Sequence, residues 1–156
     1  MEANTNQEWL IFKCGDQEYG IEILHVQELR GYEPALVTRV AQAAKHVQGL
    51  INLRGQIIPV IDFRIVLALD HVEINDKTVI VILNLDDRMV GLIVDSVSDV
   101  LVIEQEDIKP APKAHDMGQS KTLIGLAMHE NRLIQLLDIP NLIGVDGIET
   151  ILEAQH

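Results

Sequence analysis

Aromatic side chains are scarce: five in 156 residues, and Trp9, Phe12, Tyr19, Tyr32 and Phe63 all lie in the first 63. The apolar fraction is nonetheless 47%. That is enough to exclude a disordered chain, and a core beyond Phe63 must be built from Val, Ile and Leu. Cys14 is the single cysteine, which excludes an internal disulfide and a Cys-based zinc site. Basic side chains number 12 against 24 acidic ones, giving a net charge of -12. So acidic a surface repels phosphate backbones and anionic lipid, making nucleic acid and membrane poor direct partners. The same charge also serves plain solubility. Long apolar runs are missing too. Ile65 to Leu69 and Val79 to Leu83 are far too short to cross a bilayer. Met1 to Glu8 is polar and carries no export pattern, so a reducing cytoplasm is the expected location.

Motifs for catalysis are equally sparse. Gly118-Gln119-Ser120-Lys121-Thr122 has only one of the two glycines that a serine nucleophile elbow needs. No glycine-rich run leads to Gly-Lys-Ser/Thr, so a phosphate-cradling loop is not expected. His129-Glu130 begins a zinc-protease pattern, but Leu133 stands where the second histidine belongs. The six histidines (25, 46, 71, 115, 129 and 156) are dispersed. No metal or cofactor is expected from them. Carboxylates are numerous enough that a paired acid and base stays open. Glu104-Gln105-Glu106-Asp107 reads as a solvated turn or the first turn of a short helix. Cys14, at the edge of a hairpin, reads as a packed small hydrophobe.

What the sequence does contain is a repeat. Shifted by 71 residues, Leu10-Ile11-Phe12 meets Val81-Ile82-Leu83, Tyr19-Gly20-Ile21 meets Val90-Gly91-Leu92, and Ile23, Val26 and Leu29 meet Val94, Val97 and Val100. Glu22 against Ile93 and Leu24 against Asp95 are misfits. Further on, Leu50-Ile51-Asn52-Leu53 aligns with Leu123-Ile124-Gly125-Leu126, and Ile57 to Asp62 with Leu133 to Asp138, with three extra residues assigned to the second turn. Two long copies indicate an internal duplication and not a solenoid.

Residues 18–30 have partly helical spacing. Their counterpart Val90 to Val100 is rich in β-branched residues, so both copies are expected to be strands. Cys14 to Gln17, Leu85 to Arg88 and Arg54-Gly55 read as hairpin turns. Pro59 places its strand at an edge or a bulge. Short helices are expected at Ala41 to His46, Phe63 to Leu69 and Gly147 to Ala154, the last in a tail of residues 147–156. Asp70 to Lys77 links the copies, and Pro110 to Ser120 is a loop. Many short strands separated by turns predict a mainly β chain of two small barrels, one per copy. Subdomain 1 is expected over about residues 13–75 and subdomain 2 over about 76–146, the N-terminal strand being available to pack on subdomain 2.

Two polar stretches stand out: Val26-Gln27-Glu28-Leu29-Arg30-Gly31-Tyr32, and Gly49 to Asp62 with Arg54-Gly55 at its turn. Each puts an arginine directly before a glycine. Arg54 is either a turn residue or an interface anchor whose planar fork bonds carboxylates while its stem covers apolar surface.

With Glu18-Tyr19-Gly20-Ile21, Pro59-Val60-Ile61-Asp62, Val79 to Leu85, Val90 to Val97 and Ile108-Lys109-Pro110-Ala111-Pro112, these stretches resemble the CheW family over about residues 7–146. The resemblance implies two SH3-like five-stranded β-barrel subdomains around a shared core, with no catalysis and no cofactor. It implies an adaptor that joins the CheW-like regulatory domain of the chemotaxis histidine kinase CheA to the cytoplasmic tip of chemoreceptors. Such an adaptor is cytoplasmic and is recruited to membrane receptor arrays. By position, Glu28 and Arg54 become candidate contact residues. Val26, Leu29 and Ile57 either line a groove for a helical tip or belong to the barrel core. Asp62 and Asp138 read as helix caps. A receiver domain of the CheV type and a kinase core are not expected beside the repeat, and Lys113 to Lys121 matches no motif. Two alternatives are a CheW-like adaptor of another kinase pathway, such as surface motility, and a small metal-dependent hydrolase or phosphatase. The latter would need carboxylates converging on one cleft.

Overall fold

The computed structural model describes residues 6–41, 47–67, 74–85, 88–110 and 123–140. The expected helices at Ala41 to His46 (beyond Ala41) and Gly147 to Ala154, most of the loop after Pro110, the stretch Lys113 to Lys121 and the tail 147–156 lie outside them. The described residues are mainly β. The first copy holds β1 (Asn6–Cys14), β2 (Gln17–Glu22), β3 (Val26–Gly31), β4 (Val47–Leu53) and β5 (Gln56–Asp62), followed by a single-turn helix α1 (Phe63–Val66). The second holds β6 (Val79–Leu85), β7 (Arg88–Val94), β8 (Ser96–Glu104), β9 (Ile108–Lys109), β10 (Leu123–His129) and β11 (Arg132–Leu137). Residues 18–30 are strand apart from one 3-10 turn, Ile23–His25, which is the local origin of the helical spacing there. Gln105–Asp107 is likewise a 3-10 turn.

The strands form two sheets, ordered β8-β1-β2-β11-β10-β9 and β3-β6-β7-β5-β4. Each sheet therefore mixes the copies, and the expectation of one barrel per copy is corrected. After the β1–β2 hairpin the chain crosses from the first sheet to the second through Ile23–His25, and after β6–β7 it crosses back at Asp95. The hairpin of each copy thus completes the barrel of the other. It docks by parallel pairing, Leu136 beside Gly20 and Val60 beside Gly91. The N-terminal strand pairs with β8 of the second copy.

Both barrels close by the same device. β8 lies at one edge of its sheet, and after the 3-10 turn its continuation β9 reaches the opposite edge, where Lys109 pairs with Leu126. In the other barrel β3 continues through the turn Pro34–Leu36 to Thr38, which bridges Leu50. At both seams a glycine faces the arriving backbone. A Cβ on Gly49 would sit 2.2 Å from the Thr38 carbonyl oxygen, and one on Gly125 would sit 2.6 Å from that of Lys109.

Those glycines also fix the alignment of the copies. Gly49 corresponds to Gly125 and Leu53 to His129, each beside the same bulge, and both hairpins have two-residue turns. The second turn therefore has no three-residue insertion. The extra residues precede β10, and the apolar match of Leu50 to Leu123 was out of register. Pro59 is also not on an edge strand. β5 is internal, and its pairing with β7 starts only at Val60, so at Pro59 no neighbour on that side requires the missing N–H.

Strand alternation divides the apolar residues three ways. From β1, Trp9 and Ile11 fill one barrel with Ile103, Ala127, Ile134 and Leu136. From β6, Ile80 and Ile82 fill the other with Ile51, Ile58, Val60 and Ile93. The opposite faces of β1 and β6 give Leu10, Phe12, Val81 and Leu83 to a third core between the barrels. There Phe12, Tyr19 and Phe63 meet with ring centroids 5.3 to 5.7 Å apart. Each fully buried Ile, Leu or Phe contributes roughly 1.5–3 kcal/mol, so an aliphatic chain can hold two small barrels together.

Candidate functional site

β3 carries the first polar stretch on an alternating strand: Val26, Glu28 and Arg30 are half-buried, while Gln27, Leu29 and Gly31 are exposed. A bulge between Val26 and Glu28 shifts its register against β6. Glu28 then pairs with Ile82, on the barrel-interior side, and Leu29 with Val81, on the side of the shared core. Glu28 and Leu29 consequently point to opposite faces of the strand.

Arg54 is at the tip of the β4–β5 hairpin. It has φ 51°, and Gly55 has φ 87°, the left-handed pair that a tight two-residue hairpin demands. Asn52 Oδ1 accepts the Gly55 backbone N–H at 2.9 Å and steadies the turn. An arginine is an unusual occupant of that region. Here the turn brings its guanidinium across to β3, where Nη2 donates to Glu28 Oε1 at 2.7 Å. Arg30 Nε donates to the other oxygen, Oε2, at 3.0 Å. Glu28 is thus held between two cations. The bond from Arg54 first, then that from Arg30, pulls its carboxyl below the usual glutamate range. Arg54 remains 65% exposed, so its fork still has donors facing solvent.

The remaining candidates separate. Leu29 and Ile57 are 45% and 57% exposed, which removes them from the barrel core. Val26 is partly buried against the shared core. Glu28 and Arg54 are joined by a bond, and Arg30, which the sequence marked only as an arginine before a glycine, completes the set. Leu24, in the crossover turn just before Val26, is 71% exposed; in the sequence it stands out only as a misfit of the repeat. Asp62 does cap α1, accepting from the backbone N–H of Arg64 at 3.0 Å.

A second polar set occupies the other barrel. Arg132 on β11 donates from Nε and Nη2 to both oxygens of Glu18 on β2, at 2.9 and 2.8 Å. It also reaches Asp99 on β8 at 3.2 Å. Asp99 is the repeat counterpart of Glu28, so the alignment could have pointed to it. The Arg132 bond, against the opposing effect of burial, holds Glu18 below the usual carboxylate range.

Neither set resembles a catalytic centre. The Cys14 side chain is buried, and burial pushes its thiol up to about 12, which keeps it protonated. Among the described residues no group of three or more His, Cys, Asp or Glu side chains could hold a metal ion, and no helix is long and apolar enough to cross a membrane.

Comparison with known proteins places this geometry. The model of the CheW-like domain matches residues 8–146. The chain is 44% identical over 147 residues to the chemotaxis protein CheW of Klebsiella aerogenes, spanning 94% of this chain and 87% of that one. It is 36% identical over 137 residues to the chemotaxis protein CheW of Rhizobium meliloti, spanning 88% and 87%. Among solved structures, the scaffolding protein TtCheW from Thermoanaerobacter tengcongensis superposes with a TM-score of 0.81 at 26% identity, covering 94% of each chain. Duplicated barrels with exchanged hairpins, an exposed ionic site and relatives of this kind make the chain a chemotaxis scaffold protein of the CheW-like family.

Proposed function

We propose that this chain acts without catalysis, coupling chemoreceptors to a chemotaxis histidine kinase of the CheA type. It binds the cytoplasmic tip of a receptor and the regulatory domain of the kinase at once. Each partner is thereby presented to the other at a raised effective concentration. Receptor states that contact the adaptor differently in free energy then bias the kinase.

The observation that carries this reading is the Glu28–Arg54 pair. Arg54 is 65% exposed, is fixed at 2.7 Å to Glu28 and stands at a hairpin tip close in sequence to the exposed Ile57. A positioned arginine beside apolar surface is the composition of a binding hot spot. Exposed Leu29 and partly buried Val26 lie towards the shared core, Leu29 on the face of β3 opposite Glu28. They offer a second, apolar surface on which an amphipathic helix of a receptor would lay its apolar face. With a net charge of -12, the protein reaches the membrane through the receptor and not through anionic lipid. Its working location is the cytoplasmic side of a receptor array.

Kinase autophosphorylation with receptor-containing membranes, with and without the chain, tests this. A rise that needs both receptor and chain is expected. No rise with a cognate receptor and kinase would refute the coupling role while leaving the fold untouched.

A further inference from the structure

The duplication has one misfit with a physical consequence. At the crossover from β7 to β8 stands Asp95, and at the equivalent crossover from β2 to β3 stands Leu24, 71% exposed. Both crossovers carry the chain from one sheet to the other, so the topology itself does not require an acid there.

What Asp95 adds is a set of directional bonds between the barrels. Its backbone N–H donates to the Lys13 carbonyl at 3.0 Å. Its Oδ2 accepts the Gly15 N–H at 2.7 Å. Both of those residues belong to the β1–β2 hairpin of one barrel. Its other oxygen, Oδ1, accepts from Nη1 of Arg64 at 3.2 Å. Arg64 lies in α1, directly after β5 of the other barrel, and is 1% exposed. The same guanidinium donates from Nε and Nη2 to Asp62 at 2.9 and 3.1 Å, while Asp62 caps α1. Burial lowers the pKa of Arg64, but the bonds to Asp62 and then Asp95 outweigh it and hold the guanidinium above its ordinary value.

The apolar core between the barrels also joins them, but hydrophobic contact is non-directional and tolerates small rotations. Charge-assisted bonds from a planar fork fix an angle as well as a distance. We propose that Arg64 and Asp95 form a clasp that sets the angle between the two barrels. A scaffold that presents two surfaces to two partners needs that angle fixed. Without it, receptor-induced shifts at one barrel would be lost as wobble at the junction.

Pulsed electron–electron distance measurement on spin-labelled protein tests the clasp. One label pair spans the barrels, Ala35→Cys with Lys109→Cys, both exposed in the parent chain. A control pair stays within one barrel, Glu8→Cys with Lys109→Cys. Buried Cys14 stays in place, since its protonated thiol escapes labelling. In Asp95→Ala the inter-barrel distribution should widen at least twofold while the control pair keeps its width. Asp95→Asn, which retains an acceptor for Gly15 and loses the charge facing Arg64, should widen it less and serves alone if the alanine variant does not fold. An inter-barrel width equal to the parent's in a folded variant would overturn the clasp, as would equal widening of both pairs. No partner takes part in the measurement, so its failure and a failure of the adaptor role are separate results.

Discussion

The two barrels share a plan and differ in how they use one position. On β3 of one, Glu28 lies between two guanidiniums, and Arg54 stays 65% exposed. On β8 of the other, counterpart Asp99 joins Glu18 around the single guanidinium of Arg132, with side chains 28% and 12% exposed for Arg132 and Glu18. Charge at a hairpin tip also inverts: Arg54 in the first, Glu130 in the second, both at φ 51°. Duplication supplied two equivalent turns. One is open to solvent and suited to contact, and in the other barrel the arginine ties β2, β8 and β11 together as a structural bond.

The largest effect is expected where the barrels are not independent. Arg64→Met leaves the buried Asp62 carboxylate uncompensated and should cost about 3–5 kcal/mol. Denaturant unfolding should show both barrels lost in one transition, since they share a core; two separate transitions would make them independent after all.

Barrel closure comes next. Gly49→Ala and Gly125→Ala each push a methyl against backbone at the seam, and such overpacking costs typically 1–3 kcal/mol. Gly49 should be the worse of the two, because its Cβ would meet a carbonyl oxygen at 2.2 Å and its φ of 152° is itself unfavourable for an L side chain. Melting temperatures of the two variants rank them directly.

A smaller loss separates the ionic sets. Arg132→Ala should destabilise by about 1–2 kcal/mol, as expected for charged hydrogen bonds that are partly buried. Its pH dependence has a definite sign. Glu18 titrates in the folded chain below its ordinary value of 4.5. The stability it gains from Arg132 is therefore fully present above that value and is lost as pH falls through the folded pKa. The gap between parent and Arg132→Ala should be constant above 4.5 and shrink below it, read by urea midpoints across an acid series. Arg54→Ala, by contrast, should change stability by less than about 0.5 kcal/mol, as a melting curve would show.

Much of this was legible beforehand, for physical reasons. Short uninterrupted apolar runs and β-branched density in Val79 to Leu83 and Val90 to Val94 mark strands however the barrels assemble. The exchange of hairpins left no such mark. Gly20 and Gly91 stand in equivalent contexts, and nothing local tells β2 to pair with β11 instead of β5. The turn alignment failed because Leu50 and Leu123 match in hydrophobicity, whereas the constraint that fixes register is the close approach at Gly49 and Gly125. Glu28 and Arg54 were picked out through family resemblance. That they meet became visible only once the left-handed turn had aimed the guanidinium at β3. Arg132 escaped notice because its partners Glu18 and Asp99 are distant in sequence.

The most direct test of the difference between the two ionic sets is receptor-dependent kinase autophosphorylation with Arg54→Ala, run beside the parent chain at the same concentration. Loss of a hot-spot contact worth about 2 kcal/mol should lower the affinity behind that stimulation roughly 30-fold, with the melting temperature nearly unchanged. Full stimulation by a folded Arg54→Ala chain would contradict the assignment and make the Glu28–Arg54 pair a turn ornament with no part in binding.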